Sequence, residues 1–481
     1  MYRLGEMFIG YNDGKKEASY RDDFELYYFN YNRNIEKILE KDKFLLLGKK
    51  GTGKSLLAEY IKKMSLQSHD WFCETSSYKQ FNFHELTQLK SRDIMPNEYI
   101  AIWEWIILIE VARLCLKDES IDGEYKKSLE EFLTGNFISL KLDMNKVVEI
   151  TKRGNINGTF LSKLVNFSGQ YGKDVKYTHG TYLDYLEDLR NVVLFTLKSS
   201  KSKFTILFDE LDDKFRNEDI YKSNIISLIK VADRLNTLFN EEKTETKIIL
   251  LLRTDIFYIL NDPDLNKVEQ DNSVKLDWGN TVNFHSPLFK MLFTKIRQSI
   301  QQVRDIDDET LFNTLFPQKI NYRSPDEFIL GRTYFRPRDL VTYLNLIIDE
   351  YPDTTYFGWK GFVELEKKYS EYLFKEVKNE LYGHLSDVEI NESFLLLKQF
   401  KKTEFTFEEI RDYYSKRKAI YTNIVLEKTL KYLFDFSVLG NTWMHERLHR
   451  QFYSWAYREN AEVDYDKKFV VHLGLRKELT L

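Results

Sequence analysis

The sequence predicts an α/β protein. Its core is a parallel sheet, to which are added a helical lid, a long and mainly helical insertion, and a C-terminal unit of three helices followed by a β-ribbon. Three observations carry this. The runs FLLL (44–47), KFTILF (203–208) and KIILLL (247–252) are short and largely apolar, as strands buried on both faces are. Helical patterns follow the first two, at about Lys54–Met64 and in NIISLIKVADRLNTLFN. From Phe289 to about residue 350 the pattern is helical, with no strand signal.

The elements follow in order. Residues 1–42 are polar and aromatic and end in a helical NRNIEKILEKD. Residues 43–69 and 201–288 make the core, with a further strand or edge expected near SVKLDW. Between them lies the insertion, 70–200, helical over 85–117, 125–150 and YLDYLEDLRNVVLFTLKSS. Its glycine-rich RGNINGTF and SGQYGKD suggest a hairpin or loop. Residues 289–384 form the lid. In 385–481, NESFLLLKQF, TFEEIRDYYSKR and NIVLEKTLKYLFDF read as helices, and SVLGNTW, QFYSWAY and KFVVHLGL as strands. Gly440–Asn441 is taken as the hairpin signal, and the whole as winged-helix-like.

Composition narrows the function classes. With 481 residues, 43% hydrophobic and 30% charged, the chain can bury several cores. A net charge of −4 excludes a global nucleic-acid footprint, so any basic patch is local. Cys73 and Cys115 give neither a disulfide framework nor a metal spacing, and eight scattered histidines suggest no zinc site. The N-terminus has no long apolar run, and the expected compartment is the cytoplasm. YIAIWEWIILIEVARLCL (99–116) is apolar enough to raise a membrane span. Glu104, Glu110 and Arg113 interrupt it, so it reads as a buried or partner-facing helix, with no stable membrane insertion.

The chemistry begins in KFLLLGKKGTGKSLLAEYI. Gly48, Lys49, Lys50, Gly51, Thr52, Gly53, Lys54 and Ser55 fit GxxxxGK[ST] in full, and Leu56 continues into the helix. Glycines let backbone N–H groups curl round phosphate oxygens, Lys54 reaches the terminal phosphates, and Ser55 ligates Mg²⁺. The helix that follows turns its positive end to the same place. A strand ending in acid is then required, and FTILFDELDD supplies it: Asp209 acts on the metal through water, and Glu210 polarises the attacking water. The third strand ends in LLRTDIF, where Arg253, Thr254 and Asp255 either sense the terminal phosphate or cap the strand. In YFRPRDLVTYLN, Pro337 opens a helix, and Arg338, or else Arg336, reaches from it to bound nucleotide; a surface pair with Asp339 or Glu350 is the alternative.

With these four elements in this order, the chain resembles the AAA+/STAND-like branch of P-loop ATPases, in the group of origin-recognition-type initiators, KAP-type NTPases and a related bacterial P-loop family. The resemblance covers about residues 1–350, with the winged helix after it. It implies a P-loop NTPase core binding ATP and Mg²⁺. Gly48–Ser55 would be Walker A, Asp209 and Glu210 Walker B, Arg253–Asp255 sensor 1 and Arg338 sensor 2, with GYNDGKKEA touching the adenine. Two departures stand out. The gap between the motifs is long and carries no KAP-type membrane helices. Between Asp255 and Trp278, where many relatives place an arginine finger, there is no arginine, and Arg297 is a substitute or a lid-surface residue.

The resemblance implies a conformational switch or motor that hydrolyses ATP, forms a homo-oligomer and works with a separately encoded protein partner or effector, plausibly in antiphage defence. An ATP-dependent DNA-binding initiator or transposition helper is the alternative. DNA would then meet 385–481, where Lys398, Lys401, Lys402, Arg411, Lys416, Arg417 and Lys418 interleave with Tyr413 and Tyr414. Glu404, Glu408, Glu409 and Asp412 share that stretch, and a mixed solvated face fits equally. A nucleotide-gated scaffold with little turnover is the third reading.

Overall fold

A computed structural model of the chain describes residues 2–77, 97–121, 123–137, 156–157, 181–211, 218–445, 447, 449–459 and 461–481. They divide into two compact units. One is Asn32–Lys49 with Lys54–Leu276; the other is Met1–Tyr31, Lys50–Gly53 and Asp277–Leu481. The glycine-rich stretches expected as a hairpin in the insertion lie, but for Ile156 and Asn157, outside the described residues.

The first unit is built on a five-stranded parallel sheet: β1 (Leu45–Gly48), β2 (Trp71–Ser77), β3 (Lys203–Asp209), β4 (Thr246–Arg253) and β5 (Ser273–Lys275). Their order is β2-β3-β4-β1-β5. Strands β1, β3 and β4 are buried along nearly their whole length. That is why they stand out in the sequence as apolar runs. Strand β2 was not expected. It lies at the sheet's edge, and beyond Cys73 it reads Glu74-Thr75-Ser76, so it leaves no apolar run to find.

The described helices of the insertion are not a separate body. Helices Asn97–Cys115 and Tyr182–Ser199 share one hydrophobic core with the sheet strands and with helix Asp219–Glu241. Trp103, Trp105, Ile106 and Leu189 are fully buried in it beside Phe204, Ile206 and Phe208. A helix that is apolar all round belongs in a core or a membrane. Among the described residues no helix is long and apolar enough to cross a membrane. The three charges that interrupt the run 99–116 are accounted for. Buried Glu104 accepts from Arg190 Nε at 2.6 Å and from Arg234, and Glu110 pairs with Arg113 at 2.7 Å. Burial raises the Glu110 carboxyl above its ordinary value, against the pull of Arg113.

In the second unit, helices Pro287–Ser299, Asp308–Leu315, Pro325–Leu330, Pro337–Glu350, Trp359–Glu364 and Glu366–Leu381 occupy the stretch expected from sequence as the lid, the name kept for it below. Three further helices follow, Asp387–Phe400, Phe407–Ser415 and Leu426–Asp435. The antiparallel sheet beside them has strands β6 (Glu404–Phe405), β7 (Leu439–His445), β8 (Arg450–Ser454) and β9 (Lys468–Val471), in the order β6-β9-β7-β8. Gly440 and Asn441 lie inside β7 rather than at a turn; the β7–β8 connection runs between His445 and Arg450. Gly440 is needed there because a Cβ would stand 2.6 Å from the Trp455 ring, and Asn441 clamps the Asp464 backbone through both ends of its amide.

Residues 385–481 do not stand apart from the lid. Leu4, Met7 and Ile9, the lid helices and the C-terminal sheet all contribute to one core. The C-terminal turn packs on lid backbone so closely that a Cβ at Gly474 would collide with the Arg332 carbonyl. Glu478 N–H donates to Ser370 Oγ at 3.0 Å.

Candidate functional site

Strand order sets out the chemistry of the first unit. Strand β4 lies between β1 and β3, and Gly48 is paired in register with Arg253. The C-terminal ends of three adjacent strands thus carry Gly48, Arg253 and Asp209. Ligands of open parallel sheets bind outside those ends. Helix Lys54–Leu66 starts directly after the loop and buries Leu57, Ala58 and Ile61. Ser55 therefore sits in the helix's first turn, where backbone N–H groups and the helix dipole favour an anion. Lys54 Nζ donates to the carbonyls of Gly48 (2.8 Å) and Lys49 (3.2 Å), so the ammonium is held against the loop's own rim.

Asp209 is buried at the end of β3. Glu210 follows with φ +60°, a left-handed backbone unusual for a residue with a Cβ. Such conformations cost about 1–3 kcal/mol and concentrate at functional sites. Asp212 and Asp213 lie outside the described residues. Arg253 is buried and bound twice by Asp255, Nε to Oδ1 at 3.0 Å and Nη2 to Oδ2 at 2.5 Å. The strand-end arginine is thus held in one orientation by its neighbour but one.

The loop tip is organised within the second unit. Three consecutive carbonyls accept hydrogen bonds there. Lys50 O takes Arg336 Nη1 at 3.2 Å, Gly51 O takes the Arg338 backbone N–H at 3.4 Å, and Thr52 O takes Trp278 Nε1 at 2.9 Å. In a trans peptide the C=O of one residue and the N–H of the next point in opposite directions. Each engaged carbonyl therefore turns the N–H of the next residue, Gly51, Thr52 or Gly53, away from the carbonyl's own donor. A run of N–H groups of this kind is an anion-binding nest. Gly51 (φ +80°) and Gly53 (φ +99°) supply the curvature. A Cβ at Gly53 would meet nothing within 4 Å, so the space beside these donors is open.

The arginines named from sequence differ in setting. Arg336, the N-cap residue of Pro337–Glu350, is buried and bonds Asp339 Oδ2 (2.9 Å) and Glu380 Oε1 (2.6 Å). Burial opposes its charge, but Asp339 and Glu380 outweigh burial and raise its pKa well above even the ordinary guanidinium value. Arg338 is more open. Its Nε donates to Asn12 O at 2.8 Å and its Nη1 to Glu376 Oε2 at 3.1 Å. Glu376 also pairs with Lys50 Nζ at 3.3 Å. Burial works to raise the Glu376 carboxyl, yet Lys50, Arg338 and Arg336 together hold it below its ordinary value.

The segment expected at the adenine lies against the same lid helix. Gly10 O accepts from Asn345 Nδ2 (3.0 Å), and Asn12 Oδ1 accepts from Thr342 Oγ1 (2.8 Å). Glu17, buried, accepts from the Tyr11 N–H at 3.0 Å and pairs with buried Lys295. Arg297 is bound to Asp308 Oδ1 at 2.6 Å and to Ile306 O, the lid-surface alternative. Of the C-terminal cations, Lys398 pairs with Glu478 (3.2 Å), Lys402 with Glu409 (2.6 Å), and Arg417 lies 4.0 Å over the Tyr413 ring. Among the described residues no group of three His, Cys, Asp or Glu side chains could hold a metal ion.

Sequence reasoning missed Trp278, Glu376 and Glu380. None belongs to a motif, and each reaches the loop tip or its arginines only through the fold. A family model described as the FunZ-associated C-terminal helical domain matches residues 286–378, the lid stretch that carries Arg297, Arg336, Arg338 and Glu376. No curated protein matches the chain.

Proposed function

We propose that the chain is a Mg²⁺-dependent ATPase that binds the nucleotide's phosphates on Gly48–Ser55 and works as a conformational switch or motor with a protein partner. The observation that carries this reading is the loop tip: three successive carbonyls are engaged by Arg336, Arg338 and Trp278, the loop turns through left-handed Gly51 and Gly53, and a Cβ at Gly53 would meet nothing within 4 Å. A P-loop core is further supported by the glycine loop and the acidic turn standing at the same end of one parallel sheet. Bound Mg²⁺ would neutralise charge on the terminal phosphates, and Ser55 and Asp209 are the residues that would hold it. Lys54 would exchange its loop carbonyls for phosphate oxygens. Glu210 would take up a proton from the attacking water, and Arg253 and Arg338 would meet charge developing on the phosphoryl group. An antiphage-defence setting, a separately encoded effector and a homo-oligomer belong to this reading through the family resemblance.

The test is ATP turnover by the wild type and Glu210→Gln, with nucleotide binding measured beside it. The variant should bind as the wild type does and lose at least about a hundredfold in turnover, the usual size of a general-base contribution. Equal turnover in the two proteins would remove Glu210 from the reaction.

A DNA-linked initiator is the second reading. It is favoured by the helix–strand–helix–helix order ahead of the antiparallel sheet β6-β9-β7-β8, which fits a winged helix. Adding duplex DNA to the same assay tests it: stimulation that fades steeply with salt would promote it. A protein that binds ATP tightly and does not turn it over, with or without DNA, would support the scaffold reading instead.

A further inference from the structure

The cations that would receive a polyphosphate already have an internal occupant. Glu376, on lid helix Glu366–Leu381, places one carboxylate oxygen 3.3 Å from Lys50 Nζ at the loop tip and 3.1 Å from Arg338 Nη1. One turn further along the helix, Glu380 holds Arg336, which also donates to Asp339 and to the Lys50 carbonyl. Lys50, Arg336 and Arg338 thus face Glu376, Glu380 and Asp339, three positive charges against three negative. A triphosphate held on Gly48–Ser55, as proposed above, would bring several further negative charges near this cluster. Two like-charged groups cannot both sit on Lys50 and Arg338 without strong repulsion.

We propose that Glu376 is a displaceable counter-ion. It occupies Lys50 and Arg338 when the loop holds no nucleotide, and it yields them to the phosphates of a nucleoside triphosphate. The inference rests on the phosphate-loop reading above and adds a regulatory element to it. The lid would sense occupancy by exchanging one ligand of Lys50 and Arg338 for another. The arginines differ in this respect. Arg336 is fixed by two carboxylates and a backbone carbonyl, and it keeps the lid helix and the loop tip in register. Arg338 is more exposed and shares its single carboxylate with Lys50, so it is the one free to change partner.

The experiment is equilibrium binding of AMP, ADP and ATP, without added Mg²⁺, to the full chain in four forms: wild type, Glu376→Gln, Glu376→Asp and Lys54→Ala. Glu376→Gln keeps the side chain's volume and removes the competing charge. ATP should bind it about tenfold tighter than it binds the wild type, which corresponds to about 1.4 kcal/mol. ADP should gain less and AMP least. That dependence on phosphate number separates competition for charge from a structural effect, which would move all three nucleotides together. Glu376→Asp keeps the charge but draws it back by one methylene, so it should show an intermediate gain. It also carries the test if the glutamine variant does not fold. ATP binding that is unchanged or weaker in both folded variants overturns the proposal while leaving the loop assignment intact, provided Lys54→Ala abolishes wild-type binding. A wild type that binds no triphosphate, or a Lys54→Ala variant that binds as well as the wild type, overturns the loop assignment and this proposal with it.

Discussion

Replacing Lys295 by methionine tests how the N-terminal segment is tied to the lid. The Lys295 and Glu17 side chains are 4% and 3% exposed, and each is the other's ion partner. Burial lowers the Lys295 pKa, and Glu17 works against that shift. Methionine fills much the same volume but leaves the Glu17 carboxylate buried with only the Tyr11 N–H to satisfy it. Breaking a buried pair from one side costs about 3–5 kcal/mol, whereas replacing both partners by apolar groups of similar size is often neutral. For a unit of roughly this size, 1 kcal/mol shifts the melting temperature by about 2–4 °C, so the single variant should melt about 6–20 °C lower. Lys295→Met/Glu17→Leu should recover most of that loss. Thermal unfolding followed by circular dichroism measures both, with unfolding in urea as the cross-check. There is a functional readout as well. Glu17 positions Tyr11 beside Asn12, whose carbonyl receives Arg338, so the single variant should also bind nucleotide more weakly. A melting temperature within 2 °C of wild type by this scale would refute the reasoning, because the pair would then carry no net cost when broken.

Three further outcomes are expected. Gly53→Ala should fold, since its Cβ meets nothing, at a backbone cost of about 1–3 kcal/mol; its nucleotide affinity should fall more than about tenfold, and unchanged affinity in a binding titration would remove Gly53 from the cradle. Glu104 is buried while Arg190 and Arg234 are 31% and 51% exposed, so the triad is asymmetric. Arg190→Ala/Arg234→Ala should cost about 3–5 kcal/mol in urea unfolding, and Glu104→Leu far less, because the two guanidiniums can reach water. Burial pushes the Lys247 ammonium down to about 8, and its Nζ donates to the Glu40 carbonyl. An unfolded lysine titrates at about 10.4, so between these values the unfolded chain binds more protons and stability rises with pH; below about 8 the amine is charged in both states and the penalty is at its largest. Lys247→Met should therefore be about 1–2 kcal/mol more stable than wild type at pH 7, with the difference gone near pH 10.

The legible part of this protein was the part set by short-range rules. Leu45–Leu47, Phe204–Phe208 and Ile248–Leu252 announce themselves because parallel strands are apolar on both faces. The Gly48–Ser55 loop does so because its backbone needs glycine at fixed offsets. Strand β2 was hidden because an edge strand needs no second apolar face. Gly440–Asn441 misled because glycine before asparagine usually marks a turn, whereas here the glycine makes room for Trp455 and the asparagine clamps Asp464. Lys398 and Lys402, which read in sequence either as a phosphate-docking patch or as part of a mixed solvated face, pair with Glu478 and with the exposed Glu409, pairings that the sequence does not specify. The pairing of Lys50 with Glu376 joins residues far apart in the chain, and no local pattern in either stretch encodes it.

The seamless core of the second unit has a consequence for signalling. Domains joined by a linker can exchange a message only by colliding or by changing their effective concentration. Here strands β6, β7 and β9, the helices of 287–381 and the N-terminal segment contribute to one core, and Gly474 lies flush against the Arg332 backbone, while β8 stays exposed at the sheet's edge. A displacement of those strands therefore has no linker to absorb it before it reaches the helices that carry Arg338 and Glu376.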